Sequence, residues 1–392
     1  MVQKIVLRCL NLALWLLLSP LAIVLHLLGF RRLLVRVEHI GHLAAEFDSL
    51  EKSKQLGLLN PFRYFVLAPR QNVSNSHLLG YWRKYYHIIT NPIACGFLSL
   101  LTRHFFMRCD VSHIVSTFFG TQHIYSINRL WGSRPALLKL TDEDQAWGAH
   151  SLQQLGIAPG QWYVCLHVRE GSFWPQNELI QGHRNASPDK VNLAIQEITR
   201  RGGKVVRMGD SNMTRLPIMP GVIDYAHHEL KSERLDTILC AQAKFFLGCT
   251  SGLAFVSMVF GVPIAQANMV PIEALAVGRQ DLSISKRLWC ESRQRYLTFE
   301  EIFASKISGY YFSHQYKNAG IRVDENTSED LYDLVCEMLD RLDDKFIETE
   351  EDRRLHSQFM LLLKPGHYSY GAISRVCLAF LKNYTQTGIT VE

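Results

Sequence analysis

The 392-residue sequence contains no Cys-x-x-Cys pair, and its nine cysteines are odd in number and scattered. That pattern speaks against a structural zinc cluster or a disulfide frame, and for free thiols in a reducing compartment. Cys165 and Cys240 sit inside apolar runs, where a thiol acts as a small hydrophobe. Internal repeats and low-complexity tracts are missing too. So is acid from the first 36 residues, which hold Lys4, Arg8, Arg31, Arg32 and Arg36 but no Asp or Glu. These five charges make up most of the net +6 and leave the remaining chain near neutral. A nucleic-acid protein would carry a basic face on its folded part. The distribution fits instead a folded body tethered to an anionic membrane surface. At 47% hydrophobic residues the body can build real cores, and the length suits roughly two to three domains.

Residues 9–30 contain no Asp, Glu, Lys or Arg, a run long enough to span a bilayer core. A cleavable signal peptide fits poorly, since the apolar core is too long and lacks a small-x-small cleavage site. The length favours a span. Pro20 and the basic flanks leave a hairpin or in-plane anchor open, with the flanks and the folded part on the cytoplasmic side.

Residues 33–37 read as a strand, followed by a turn at Gly41 and a helix with apolar Leu43, Phe47 and Leu50. A helix opening at Gly41 points the positive end of its dipole at a ligand there. His39 and His42 flank the turn, and plain surface histidines at a strand–helix junction are the competing reading. A second strand is expected over 64–68, an aromatic run over 78–89, an apolar helix over 93–107 and irregular chain over 110–140. Thr141 caps the next helix, so Asp142, Glu143 and Asp144 read as first-turn acids rather than metal–nucleotide ligands. Gly156 ends that helix, and the domain boundary is expected between 140 and 160.

The chain is organised around the stretch 162–210. Residues 162–168 form an unbroken apolar strand, as expected when both faces are covered. His167 and Arg169 leave its carboxyl end on one side and Glu170 on the other. The guanidinium of Arg169 matches the paired oxygens of a diphosphate. The loop over 171–182 is long for such a connection and ends in Arg184 and Asn185. A helix with Pro188 in its first turn comes next, then a strand over 204–208 that ends at Arg207, Gly209 and Asp210. Gly209 lets the backbone approach a ligand and Asp210 could hold a hydroxyl, against the simpler reading of a tight turn with a solvated acid. No G-x-G-x-x-G turn occurs in this unit, so anion holding falls to its arginines.

Further strands are expected over 222–226, 244–248 and 261–265, and a helix over 235–243. His227 and His228 are adjacent and point apart, with no third ligand at useful spacing, so a metal is not expected. Thr250, Ser251 and Gly252 open a helix whose backbone N–H groups and hydroxyls suit an anion. Ser251 as a nucleophile lacks the G-x-S-x-G elbow, because Cys249 replaces the first glycine. Residues 273–313 read as a lid or ligand-side loop. Helices are expected over 328–342, 348–363 and 372–384.

From 140 to about 303 the order of motifs resembles a glycosyltransferase family found among bacterial surface-polysaccharide genes. The matching residues are Leu166 to Glu170, Arg184-Asn185, Arg207 to Asp210 and Thr250 to Gly252, with the turn at Ile40 to Ala44 similar to that family's first loop. More distantly, H-V-R followed by S-G-L is similar to Nod-factor and core fucosyltransferases, although Glu170 replaces their second arginine. The resemblance implies an α/β protein of GT-B architecture: two Rossmann-like domains facing a cleft, with the nucleotide-sugar in the C-terminal one. The expected layout is an anchor over 1–31, an acceptor domain over 32–145, a donor domain over 146–325 and closing helices over 326–392. A nucleotide-sugar donor, a glycan or lipid-linked acceptor and a membrane surface are the expected partners, without nucleic acid. No cofactor is expected beyond the donor itself. Arg169, Arg207 and the 250–252 turn would neutralise the leaving diphosphate, with Gly41, His167, Arg184, Asn185, Gly209 and Asp210 as further binding residues. An inverting displacement needs a base, for which His42 and Glu170 are both candidates. A membrane-anchored binding protein without catalysis and a serine hydrolase built on Ser251 are the alternatives.

Overall fold

A computed structural model describes residues 2–110, 121–171 and 178–388, which form two compact units, Met1–Trp131 and Gly132–Glu392. Residues 111–120 of the 110–140 stretch and 172–177 of the 171–182 loop lie outside the described residues.

Unit 1 opens with helix α1 (Val2–Leu27), then runs β1 (Phe30–Leu34), α2 (Ile40–Gln55), β2 (Arg63–Leu67), α3 (Ser76–Trp82), β3 (His87–Ile89), α4 (Pro92–Leu101), β4 (Arg108–Asp110) and α5 (Thr121–Trp131). Its four strands are parallel in the order β3-β2-β1-β4. The chain steps outward from β1 to β3 and then crosses back to the other side of β1. Such a reversal leaves a crevice beyond the carboxyl ends of the two strands it separates, here β1 and β4. Because β1 feeds α2, Gly41 and His42 stand at the start of the helix that leaves this point. Leu33 and Val66 on the sheet are buried, as are Leu43, Phe47 and Leu50 of α2 and Trp82 of α3. The polar positions of α2 are buried as well: Glu46, Asp48, Ser49, Glu51, Lys52 and Ser53. Lys52 lies 2.7 Å from Asp48 and donates to Asn128 on α5.

The span expected over 9–30 gives way to a helix lying along this unit. Ala22 is buried in a cluster with Leu101 and Met107, and the Trp15 ring stacks on His104. His26 Nδ1 meets the Phe106 carbonyl at 3.1 Å. Among the described residues no helix is long and apolar enough to cross a membrane.

Unit 2 contains α6 (Asp142–Gln154), β5 (Tyr163–His167), α7 (Glu178–Gln181), α8 (Asn192–Arg200), β6 (Lys204–Arg207), β7 (Val222–Ile223), α9 (Glu233–Gln242), β8 (Phe245–Gly248), α10 (Gly252–Val259) and β9 (Ile264–Met269). It continues with β10 (Leu282–Ser285), β11 (Arg287–Cys290), β12 (Arg295–Tyr296), α11 (Phe299–Phe303), α12 (Ser313–Asn318), β13 (Ile321–Asp324), α13 (Ser328–Leu342), α14 (Glu350–Leu362), β14 (Arg375–Val376) and α15 (Leu378–Gly388). Seven parallel strands form one sheet in the order β14-β10-β9-β8-β5-β6-β7. The chain starts at β5, steps out to β7, then returns to β8 on the far side of β5, so this sheet reverses between β5 and β8. All residues of β8 and β9 are buried, as expected for strands covered on both faces.

The stretch expected to be a lid over 273–313 is instead largely core. It supplies β10 to the main sheet and, with β13, the antiparallel β12-β11-β13 sheet. Its polar residues resemble those of a loop, yet Asp281, Ser283, Ser285 and Lys286 are buried. Asp281 is satisfied there by accepting N–H bonds from Ile264, Val277 and Gly278. The closing helices belong to the same core, with Tyr384 of α15 stacked on Phe299. Thr327 and Thr349 form capping boxes that start α13 and α14.

Candidate functional site

The reversal between β5 and β8 gathers cations at the carboxyl edge of the unit 2 sheet. β5 leads to Arg169, and β8 leads through Cys249, Thr250 and Ser251 into α10. The two ends are tied by the Cys249 N–H, which donates to the His167 carbonyl. Gly248 permits this closeness, since a Cβ there would lie 2.6 Å from that carbonyl oxygen. Ser251 occupies the N-cap of α10 without capping it, and the hydroxyls of Thr250 and Ser251 are buried with no partner among the described residues. Among the described residues the Arg169 side chain has no hydrogen-bond or ion-pair partner. Burial, then neighbouring Arg184, pulls its guanidinium down to about 10, still charged at neutral pH.

Arg184 closes over this edge by donating to the Thr250 carbonyl at 2.7 Å and to Gln181 Oε1 at 2.8 Å. Its neighbour Asn185 donates to both oxygens of Glu178 and leaves Oδ1 buried and unpartnered. Lys286, just past β10, extends its ammonium to the Asn185 carbonyl at 2.5 Å, and burial lowers its pKa. Sequence reasoning missed Lys286 because the strand that delivers it has the composition of a loop. His183 is held by Ser313 at 2.9 Å, and burial, then Arg184, pushes it down to about 4. His167 is likewise pushed to about 4 by burial, then Arg207, so both imidazoles are neutral at pH 7. His183 also lines a pocket of about 370 Å³ with Ser313, Tyr316, Lys317 and Arg322. The positive charge at this edge therefore comes from Arg169, Arg184 and Lys286. Buried hydroxyls and a helix N-terminus face the same place, which suits a multiply charged anion.

Arg207 does not join them. Its side chain is fully buried and is held by Glu170 at 2.7 Å and Asp224 at 3.2 Å. The same contact removes Glu170 as a free base, since its second oxygen accepts from the Thr214 N–H. Gly209 and Asp210 also turn inward on their own chain. Asp210 accepts from the Asn212 N–H, and a Cβ at Gly209 would collide with Met213 Sδ at 2.1 Å. Ser251 has no base at hydrogen-bond distance among the described residues, so the hydrolase reading lacks its nucleophile–base pair.

The base candidate with an orienting partner lies in unit 1. His42 Nδ1 contacts Glu46 Oε1 at 2.7 Å, and Glu46 Oε2 accepts from the Arg36 N–H. Glu46 is fully buried, whereas His42 keeps part of its surface. A buried carboxylate on one ring nitrogen fixes the imidazole and leaves the other to exchange a proton. His39 lies 5.7 Å away ring to ring, and burial, then His42, holds its pKa low. Gly41 is buried in the first turn of α2. Sequence reasoning missed Glu46, although its place four residues after His42 on a helix was a usable signal.

Seven cysteines, Cys95, Cys165, Cys240, Cys249, Cys290, Cys336 and Cys377, are free thiols, and all but Cys336 are buried. Among the described residues no three His, Cys, Asp or Glu side chains gather as metal ligands.

No protein-family model matches the chain, and no curated protein matches it. Among solved structures it is similar to a glycosyl transferase family 9 protein from Veillonella parvula, at 14% identity and a TM-score of 0.30 over 56% of this chain and 60% of that one. It is similar to the dodecameric iron-containing heptosyltransferase TibC, solved with ADP-D-beta-D-heptose, at 12% identity and a TM-score of 0.35 over 72% of this chain and 60% of that one. The E. coli heptosyltransferase WaaC with ADP gives 12% identity and a TM-score of 0.30, covering 65% of this chain and 91% of WaaC. The chain thus spans about 60% of the length of the first two. Likenesses this slight leave the function to be read from the chemistry of the site.

Proposed function

We propose that the protein is a glycosyltransferase that moves a sugar from a nucleotide-sugar to a hydroxyl of a glycan or lipid-linked acceptor, with inversion and without a metal. What supports the reading is the unpartnered guanidinium of Arg169 beside the open N-terminus of α10, at the strand reversal of a parallel sheet. In this reaction the acceptor oxygen bonds to the anomeric carbon while that carbon's bond to the diphosphate oxygen breaks. The acceptor proton goes to His42, held by Glu46. The electron pair leaves with the nucleoside diphosphate, whose charge Arg169, Arg184 and Lys286 offset.

A binding protein of the same fold would need the cation cluster but not the dyad, so the two readings separate by experiment. A thermal-shift screen of the full chain against nucleotide-sugars identifies the donor, since a ligand of the native state raises its melting point. With that donor, His42→Ala is expected to keep binding and lose transfer and donor hydrolysis by about 10²–10⁴-fold. Wild-type protein that binds the donor and never turns it over, with any acceptor glycan, fits the binding protein and contradicts the enzyme.

A further inference from the structure

From Leu12 to Leu27 helix α1 is apolar apart from Ser19 and His26, yet only one side of this stretch is covered. Trp15, Ser19, Ala22 and His26 recur at helical spacing and meet unit 1 through His104, Leu101 and Phe106. The other sides leave Leu16, Leu17, Leu21, Val24, Leu27 and Leu28 between 45% and 78% exposed. A helix that is hydrophobic all round belongs in an apolar medium on all its faces. Helix α4 adjoins α1 through Leu98 and Leu101, and it bares Ile93 at 84% and Phe97 at 52% exposure.

The charge around these helices has one sign. Residues 1–37 and 52–109 contain no Asp or Glu, and the second stretch holds eight Lys and Arg, so both helices lie in acid-free sequence. Unit 1 holds fourteen Lys and Arg against five Asp and Glu, a net +9, while unit 2 has 28 against 31, a net −3. Two of the five acids, Asp48 and Glu51, pair with Lys52 and Lys54, which leaves twelve Lys and Arg against three acids. Exposed Arg63 lies over the Phe30 ring just past α1, and exposed Arg103 follows α4.

We infer that α1 and α4 together form an in-plane docking face for an anionic lipid bilayer. The bared leucines, Ile93 and Phe97 enter the boundary between headgroups and acyl chains, and the arginines meet lipid phosphates. The helix lies in the surface rather than across it, because His104 and Phe106 hold its inner side to the unit. A second copy of the chain could cover the apolar residues, but its own net positive unit would face this one. An RNA would match the charge and leave the leucines in water.

Flotation of the full chain with vesicles tests this without any nucleotide, so its outcome is independent of the proposed reaction. Vesicles of phosphatidylcholine with phosphatidylglycerol are expected to bind at least about tenfold more protein than phosphatidylcholine alone, and high salt should reduce the excess. The I93D/F97D variant should lose about tenfold in binding with an unchanged circular dichroism spectrum. Alkaline carbonate should release the wild-type protein. Equal binding to both vesicle types, a double variant that binds like wild type, or retention in carbonate as for a spanning helix would overturn the inference. So would RNA capture in preference to vesicles, or a dimer abolished by I93D/F97D in a protein that ignores lipid.

Discussion

Arg169 and Arg207 leave neighbouring strands of one sheet, and their surroundings give them opposite work. Arg207 is buried between Glu170 and Asp224, so Arg207→Ala strands two carboxylates and should cost about 3–5 kcal/mol in urea unfolding. Among the described residues the Arg169 side chain has no partner, and a like charge lies beside it, so Arg169→Ala should leave the urea midpoint near wild type while weakening nucleotide binding. The sequence shows both as R at a strand end; burial, which tells them apart, is not written there. Glu46 gives a third residue-scale outcome: Glu46→Gln should slow transfer while leaving donor binding as it was, since the amide oxygen can still accept from the Arg36 N–H while the charge facing His42 is lost. His356 supplies a pH outcome. Burial, then Arg375 and Arg341, pushes it to about 4 in the fold, against an ordinary value near 6.5. The unfolded chain therefore binds the extra proton first as pH falls, and stability present above about pH 6.5 is lost toward pH 4. The stability difference between wild type and His356→Gln should shift against wild type across that window in urea titrations. Glu273, raised to about 7 by burial, acts in the other direction and is present in both proteins, so it cancels.

At the scale of elements, periodicity and caps are legible in the sequence and buried polar strands are not. The helix expected over 328–342 is α13, because Thr327 and the apolar spacing mark it plainly. β5 and β8 are readable from apolar runs, and β6 from Val205 and Val206 between the glycines at 202–203 and 209. β10 and β11 are not, because Ser283, Ser285 and Lys286 interrupt the run and their partners lie far along the chain, such as Asn326 donating to the Ser285 carbonyl. With them Lys286 drops out of the expected site. Thr327→Ala should lower stability by about 1 kcal/mol with the site untouched. Gly248→Ala should do more. Its Cβ would force β8 away from the His167 carbonyl, costing about 1–3 kcal/mol and spreading the anion site, read out as weaker nucleotide binding at a temperature where the variant is still folded.

For the molecule as a whole, the strand orders carry most weight. Both sheets run outward from their first strand and then cross back beside it, and the candidate residues cluster at the two points of return. Motif order in the sequence points to these places, while the choice among residues at each comes from burial and hydrogen bonding. The uneven charge is legible only in part. The first 36 residues stand out as acid-free, but the excess extends beyond them, since unit 1 as a whole carries a net +9. The most direct test is a calorimetric titration of the full chain with nucleoside diphosphates, comparing wild type with Arg169→Ala and Thr327→Ala. The cation cluster predicts that at least one diphosphate binds wild type and Thr327→Ala alike, with its monophosphate weaker, and that Arg169→Ala loses about tenfold or more in affinity. A wild-type protein that binds no nucleoside diphosphate, or an Arg169→Ala variant that binds one as tightly as wild type, would contradict it.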